Sequence, residues 1–348
     1  MRPISIVTVL SLAVVGLAAP AAHAQPECFG ETPTIVGSAE DDNLKGTAGR
    51  DVIWAGAGND RVEAGGGDDL VCGDEGGDYI RGGGGNDKLS GGKNHERPRV
   101  FDDLFGGAGN DLLRGGSGRD ALVGGPGDDR MDGGPGRDYT DYISSKAGVH
   151  VDLEQKAATG QGADALKRVE SVGGSAHDDT IKGDAGTNYL GGFLGDDVVS
   201  GRAGADFLFG DSAEGSPGED VLRGGDGRDA IYGDYTEYDG ADDEIYGGDG
   251  DDTIYGDAVD RESRMGSDRI DAGAGDDVVF GEGLPPDLWM DPSELGPVAD
   301  VIEGGPGDDE LHGEHGRDRL NGGKGSDTAD GGEARDRCRA ETEVDCEE

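Results

Sequence analysis

Large apolar residues recur singly along this chain, nine residues apart, and each sits two positions after an aspartate. Leu44, Ile53, Val62, Val71, Ile80 and Leu89 follow Asp42, Asp51, Asp60, Asp69, Asp78 and Asp87 without a slip in the step. The residues between them are polar and rich in glycine, as in Gly82-Gly83-Gly84-Gly85-Asn86-Asp87. A nine-residue unit of this kind predicts one turn and one very short strand of a solenoid. In that strand the large residue points into the core and its two neighbours point outward.

The same step divides the chain. A first array runs from about Ile35 to Asp138, with one turn lengthened around Lys93–Phe101; Leu104, Leu113, Leu122 and Met131 then hold the apolar position. Residues 139–173 break the pattern. Val149, Val151 and Leu153 alternate with polar residues, as in a strand, and residues 163–172 read as a short helix or another strand. The segment is too short for a catalytic domain of its own and reads as a spacer. A second array begins near Asp179 and runs to the end, with Asn188 taking one aspartate position and Ala329 and Cys338 replacing the large residues last. The expected organisation is residues 1–24 as a signal peptide, 25–138 as the first array with an N-terminal cap, 139–173 as the spacer, and 174–348 as the second array with loop insertions and a C-terminal cap.

In the second array extra residues fall before Asp220, Asp243, Asp268 and Asp300, whereas the turns ending at Asp229, Asp252 and Asp277 have normal length. Insertions therefore occupy every second turn. With two turns per coil, all four would lie on one edge of the solenoid. Loops gathered on one side of a repeat protein often form its binding side, and these carry Tyr235, Tyr238 and Trp289.

Composition decides between order and disorder, and then names the partner. The 348 residues hold 76 acidic and 30 basic side chains, a formal net charge of -46, 71 glycines and only 5% aromatics. On composition alone this resembles a disordered acidic tail. Such a tail has no reason to keep an apolar residue in register, so the periodicity favours a fold. Nucleic acid is excluded as a partner, because phosphate contacts require Lys and Arg, and anionic membrane surfaces are disfavoured for the same reason. Cations are the natural partners of stacked carboxylates.

The first residues predict export. Arg2, the apolar run Ile4–Leu17 and the small residues Ala22-His23-Ala24 form a secretory signal with cleavage after Ala24. No later segment is apolar enough to span a bilayer. The four cysteines, Cys28, Cys72, Cys338 and Cys346, suit an oxidising compartment. Cys28–Cys72 and Cys338–Cys346 is the favoured pairing; free thiols or a metal site are the alternatives, the latter disfavoured by the absence of CxxC spacing and of an adjacent histidine.

The repeat unit is G-G-x-G-x-D-x-U-x, with U large and apolar. Glycine permits positive φ and lets carbonyl groups turn toward an ion. Aspartate adds a hard anionic oxygen. Calcium accepts six to eight such oxygens in a tolerant geometry, whereas magnesium demands a tighter octahedron. These nonapeptides resemble those of RTX, or haemolysin-type, calcium-binding proteins; Gly124-Gly125-Pro126-Gly127-Asp128-Asp129-Arg130-Met131-Asp132 and Gly304-Gly305-Pro306-Gly307-Asp308-Asp309-Glu310-Leu311-His312 match well. The resemblance covers nearly the whole mature chain.

It implies an all-β fold, a right-handed parallel β-roll or β-solenoid, with multiple Ca2+ ions between successive turns of one edge. The ligands it implies are Asp51, Asp60, Asp69, Asp78, Asp87, Asp111, Asp120, Asp129, Asp138, Asp197, Asp206, Asp229, Asp252, Asp277, Asp309, Asp318 and Asp327. Asn188 and the inserted turns depart from the pattern, so weaker or absent sites are expected there. Without cations the carboxylate rows would repel, so folding and calcium binding should be coupled. Many RTX proteins use an uncleaved C-terminal export signal. The N-terminal signal and the cysteine-bearing acidic end here argue against the toxin branch, and no pore-forming segment is present.

An enzyme reading lacks a site. There is no HExxH and no GxSxG; His312 and His315 flank a turn and read as solvated. The expectation is a non-catalytic, secreted calcium-binding protein with a structural, adhesive or ligand-presenting role. An extracellular polysaccharide or cell-surface ligand is its candidate further partner. The competing reading is a calcium-dependent carbohydrate-active solenoid, of lyase or epimerase type, using the inserted-loop edge near Trp289.

Overall fold

Two nonapeptides make one coil. The chain passes through a strand of one sheet, turns, passes through a strand of the other, turns back, and lands beside its starting point. Ile53 pairs with Val71, Val71 with Leu89 and Leu89 with Leu113 in one sheet, while Leu44, Val62, Ile80 and Leu104 pair in succession in the other. The computed structural model describes residues 27–93, 101–211, 215, 217–235, 240–257, 265–282 and 299–346. Among them there is no helix. Almost every strand belongs to one of two sheets, a wide one of 17 strands and a narrow one of 15. The chain is a parallel β-roll.

Burial follows the sequence register. The residues at the U position, from Ile53 to Ala329, are fully buried and form one continuous core between the sheets. Thr140 takes this position in one coil and satisfies its buried hydroxyl by donating to Leu122 O (2.7 Å). Many strands extend beyond the three expected residues, as in Val52–Ala57 and Lys88–Lys93. The turn glycines also pair from coil to coil, Gly65 with Gly83 and Gly83 with Gly107, so part of each turn belongs to the ladder.

Residues 139–173 are built into both sheets. The narrow sheet passes directly from Tyr139–Asp141 to Ser171–Gly173. The wide sheet interposes Ala163–Lys167, Ala157–Thr159 and His150–Asp152, the middle one antiparallel to both neighbours, before rejoining the parallel ladder at Thr180–Lys182. The stretch left open as helix or strand is thus strand. Arg202 ties this hairpin to the second array, its guanidinium forking onto Asp152 (2.9 and 2.8 Å). The wide sheet gains two strand spacings here, roughly 10 Å, which places the narrow sheet on the inside of the step.

Both disulfides form in the favoured pairing. Cys28–Cys72 fastens the N-terminal segment over the outside of the wide sheet, where Cys28 packs with Val52 and Leu70. Cys338–Cys346 closes the last coil, with Cys338 packed at the end of the core. On the outer face of the narrow sheet Phe209, Tyr232, Tyr255, Phe280 and His312 stack in one ladder, centroids 4.7 to 5.1 Å apart and planes within 8° of parallel. No helix among the described residues is long and apolar enough to cross a membrane. Residues 1–24, Tyr238 and Trp289 lie outside the described residues.

Candidate metal centre

The coil sorts the turn aspartates into two rows. Turns leading into the wide sheet form a first edge, which holds Asp51, Asp69, Asp87, Asp111, Asp129, Asp197 and Asp318. Turns leading into the narrow sheet form a second edge, which holds Asp60, Asp78, Asp120, Asp138, Asp206, Asp229, Asp252, Asp277, Asp309 and Asp327. Neighbours in a row are therefore alternate aspartates of the sequence, not successive ones.

Each row is held by the same bond. The backbone N–H of one aspartate donates to Oδ1 of the aspartate one coil on: Asp69 to Asp87 (2.8 Å), Asp87 to Asp111 (2.7 Å) and Asp111 to Asp129 (2.7 Å) on the first edge. On the second edge Asp60 donates to Asp78 (2.9 Å), Asp206 to Asp229 (2.8 Å) and Asp229 to Asp252 (2.8 Å). One carboxylate oxygen is thereby fixed. The other, Oδ2, has no hydrogen-bond partner in Asp60, Asp69, Asp78, Asp87, Asp111, Asp129, Asp138, Asp197, Asp206, Asp229, Asp252, Asp277, Asp309, Asp318 and Asp327, all buried. A buried carboxylate oxygen without a donor is costly, and a cation is the partner its charge calls for.

The glycines make room for that partner. A Cβ on Gly82 would sit 2.4 Å from Asp87 Oδ2 and 2.7 Å from Gly106 O of the next coil. The carboxylate and a backbone carbonyl thus converge on space that only glycine leaves open. Hard oxygens of these two kinds are what calcium takes, so the residues present fit the ion.

Among the described residues, four turns are built differently. Asp51 Oδ2 accepts from both the N–H and the hydroxyl of Thr47 (2.6 and 2.9 Å), and Asp42 Oδ2 accepts likewise from Ser38 (2.6 and 2.8 Å). The Ser175 N–H donates to Asp179 Oδ2 and its hydroxyl to Oδ1 (2.9 Å), and the Asp184 N–H caps Asn188 Oδ1 (2.8 Å). The deciding residue stands four positions before the row. Where it has positive φ, as in Gly107 (110°), its N–H joins the coil-to-coil ladder, donating to Gly124 O (2.9 Å). Ser, Thr or Asp there, without positive φ, turns its N–H onto the carboxylate instead, a local cap of the kind these side chains favour. Asp51 therefore differs from the other candidates in having this oxygen already engaged.

Sequence reasoning also missed members. Asp220, Asp243, Asp268 and Asp300, set aside because their turns carry insertions, occupy the first-edge row in unbroken succession with Asp197 and Asp318. Asp164 and Glu170 continue the two rows through the spacer, accepting from Asp129 N and Asp138 N (3.0 and 2.9 Å). Both stand two residues before a core apolar residue, Leu166 and Val172, so the aspartate rule, widened to glutamate, finds them. In the second array a further carboxylate ends each strand before an insertion: Asp211, Asp234, Asp257 and Glu282, all buried. Its signal is an acid in place of the second glycine, as in Tyr232-Gly233-Asp234. His312 and His315 are not simply solvated. His312 stacks on Phe280, and Nδ1 of His315 is buried without a partner.

Burial, opposed by the row N–H and reinforced by neighbouring aspartates, raises many of the row carboxyl groups above their ordinary range. Asp78, Asp87, Asp129, Asp138, Asp206 and Asp252 reach about 7, and Asp197 and Asp318 about 8. With folded values above the unfolded value of about 4, the fold without cations is favoured in acid and loses this stability as pH rises from about 4 to about 7 to 8. Calcium must displace those protons. At pH 7 calcium binding is expected to release protons, and affinity to fall as pH drops from about 8 toward 6. Calorimetry in buffers of different ionisation enthalpy measures this; heats independent of the buffer would show the carboxylates already ionised.

Two parallel sheets with buried carboxylate rows along both turn edges define a cation-binding β-roll. The model of the RTX calcium-binding nonapeptide repeat matches residues 36–71, 73–95, 105–139, 173–208, 209–234, 239–260, 265–283 and 296–338. These segments make up well over half of the chain, which belongs to that family and is a calcium-binding β-roll protein. Compared with individual curated proteins, the chain has no significant match.

Proposed function

We propose that this protein is exported, folds on binding calcium, and serves without catalysis as a rigid extracellular scaffold that presents a ligand-binding surface. The observation that carries this reading is the pair of carboxylate rows, each with one oxygen fixed and the other buried without a donor. The ion sites we assign are the candidate row aspartates whose Oδ2 is unpaired, together with Asp120; Asp51, capped by Thr47, is the weakest of the set. The apolar run before Ala24 and the disulfide at each end support export.

An extracellular polysaccharide is the partner the surface supports best, with a uronate polymer as its probe. A cavity of about 800 Å³ opens on the narrow sheet where the spacer joins the arrays, lined by Tyr139, Tyr189, Phe193 and Phe209 with Arg119 and Arg137. The Arg137 guanidinium lies 4.2 Å from the Tyr189 ring centroid. Rings offer sugar faces a stacking surface, and guanidinium pairs with carboxylates, here within a strongly acidic chain. Calcium-loaded protein is expected to retain a uronate polymer on a pull-down, and Arg137→Ala with Tyr189→Ala to weaken retention about tenfold or more, as loss of a charged hydrogen bond implies. Unsaturated or epimerised sugar products would replace this reading with the enzymatic one.

A further inference from the structure

The second array treats its two edges differently. On the second edge each coil contributes one row aspartate. On the first edge, from Asp197 to Asp300, each coil adds the carboxylate that ends the narrow-sheet strand. Asp211, Asp234, Asp257 and Glu282 are register partners in adjacent strands, so they stack at the strand spacing of about 4.8 Å.

Their oxygens have separate tasks. Oδ2 of Asp211 accepts from Gly218 N (2.6 Å), Oδ2 of Asp234 from Ala241 N (2.7 Å) and Oδ2 of Asp257 from Gly266 N (2.6 Å). Each donor is the backbone just before the next row aspartate, where the inserted loop returns to the coil. Oδ1 of all three is unpaired, in residues with no solvent exposure. Unpaired Oδ2 atoms of Asp197, Asp220, Asp243 and Asp268 line the same edge. Carboxylate oxygens of Asp197, Asp211 and Asp220 lie within 4.8 Å of one another, and so do those of Asp220, Asp234 and Asp243. Glu282 meets Asp300 at the last level.

We propose that the inserted edge carries a distinct set of tight calcium sites, each formed by a strand-end carboxylate and the row aspartates of two successive coils: Asp211 with Asp197 and Asp220, Asp234 with Asp220 and Asp243, Asp257 with Asp243 and Asp268, Glu282 with Asp268 and Asp300. The proposal rests on the calcium-binding reading and deepens it. These acids stand outside the nonapeptide pattern, in place of a turn glycine. With two carboxylates per coil, one divalent ion per level leaves the row neutral, whereas a row with one carboxylate per coil accumulates positive charge as it fills. Calcium affinity is set by the number of charged ligands, so these levels fill first. Asp211, Asp234 and Asp257 also bond the loop returns, so their ions fix the roots of three of the four inserted loops.

Terbium titration of the full chain tests this. Tyr232 and Tyr255 lie two residues before Asp234 and Asp257, so tyrosine-sensitised emission reports these levels. Wild-type protein is expected to show a tight, sensitised class of sites displaced by calcium, followed by a weaker class. The combined substitution Asp211→Asn, Asp234→Asn, Asp257→Asn and Glu282→Gln should remove the tight class, weakening those sites roughly tenfold or more, and spare the weaker one. An unchanged tight class in the variant overturns the proposal while leaving calcium binding intact; a wild-type chain that binds neither ion overturns the underlying reading instead. Should the combined variant not fold in saturating calcium, calcium anomalous scattering from wild-type crystals decides: a peak between Asp234 and Asp243 supports the site, and its absence overturns it.

Discussion

In excess chelator the protein is expected to lose its β-sheet circular dichroism, and to regain it when calcium is restored to the order of millimolar. The reason is the composition of the coil. Each nine-residue turn brings one large apolar side chain to the core, as Leu113 or Ile231 does, and one buried carboxylate to a row. Where a carboxyl group keeps its charge, burial without a partner oxygen donor costs several kcal/mol in effect, more than the about 1.5–3 kcal/mol that burying one Leu or Ile returns. Calcium reverses the sign of the row term, because its charge satisfies oxygens that no backbone donor reaches. Binding energy is then folding energy. The four capped turns, at Asp42, Asp51, Asp179 and Asn188, have their own donors, so residual structure in chelator should centre on them. A spectrum that chelation leaves unchanged would falsify the coupling.

Leu208→Ala is expected to destabilise the calcium-loaded protein by about 2–5 kcal/mol, read as a lower thermal midpoint at saturating calcium. Leu208 is fully buried, with Leu190 on one side and Ile231 on the other along the narrow sheet. A coil in a solenoid touches only its neighbours, and both are held in register by the rows, so the cavity cannot collapse. The adjacent Phe209→Ala is the contrast. Phe209 faces outward in the aromatic ladder, stacked on Tyr232 at 5.1 Å, and its loss should cost about 0.5–1.5 kcal/mol, the worth of an aromatic pair. Equal midpoints for the two variants would mean that the core does not carry the coil.

Much of this molecule is legible without a structure, because its order is local. The step of nine places Ile53, Leu113 and Ile254 inside and Asp87 and Asp229 in the turns, and it survives insertions because a lengthened turn returns to the same strand position. The four inserted turns of the second array fall on one edge, as alternate spacing implies: each joins a narrow-sheet strand to a wide-sheet strand, Phe207–Asp211 to Val221–Asp226 and Val278–Glu282 to Val301–Pro306 among them. The site was less legible. Asp51 and Asp87 are alike in spacing, and only the residue four positions earlier, Thr47 or Gly83, decides whether the second oxygen is engaged. The strand-end acids were hidden because Asp211 and Asp234 look like ordinary surface residues of an acidic chain until the coil buries them.

What the sequence determined by itself is the repeat: turn chemistry, strand polarity, the continuous core and the need for cations all follow from nine residues that see mainly their own neighbours. What only the tertiary structure decided is the company each carboxylate keeps. Asp197, Asp211 and Asp220 converge because coils stack at the strand spacing, and Tyr139 and Tyr189 line one cavity because the narrow sheet passes from Tyr139 through Ser171 to Tyr189. Those contacts join residues distant along the chain, and the distance between two charges, which sets their interaction, is a property of the stacked coils rather than of any one repeat.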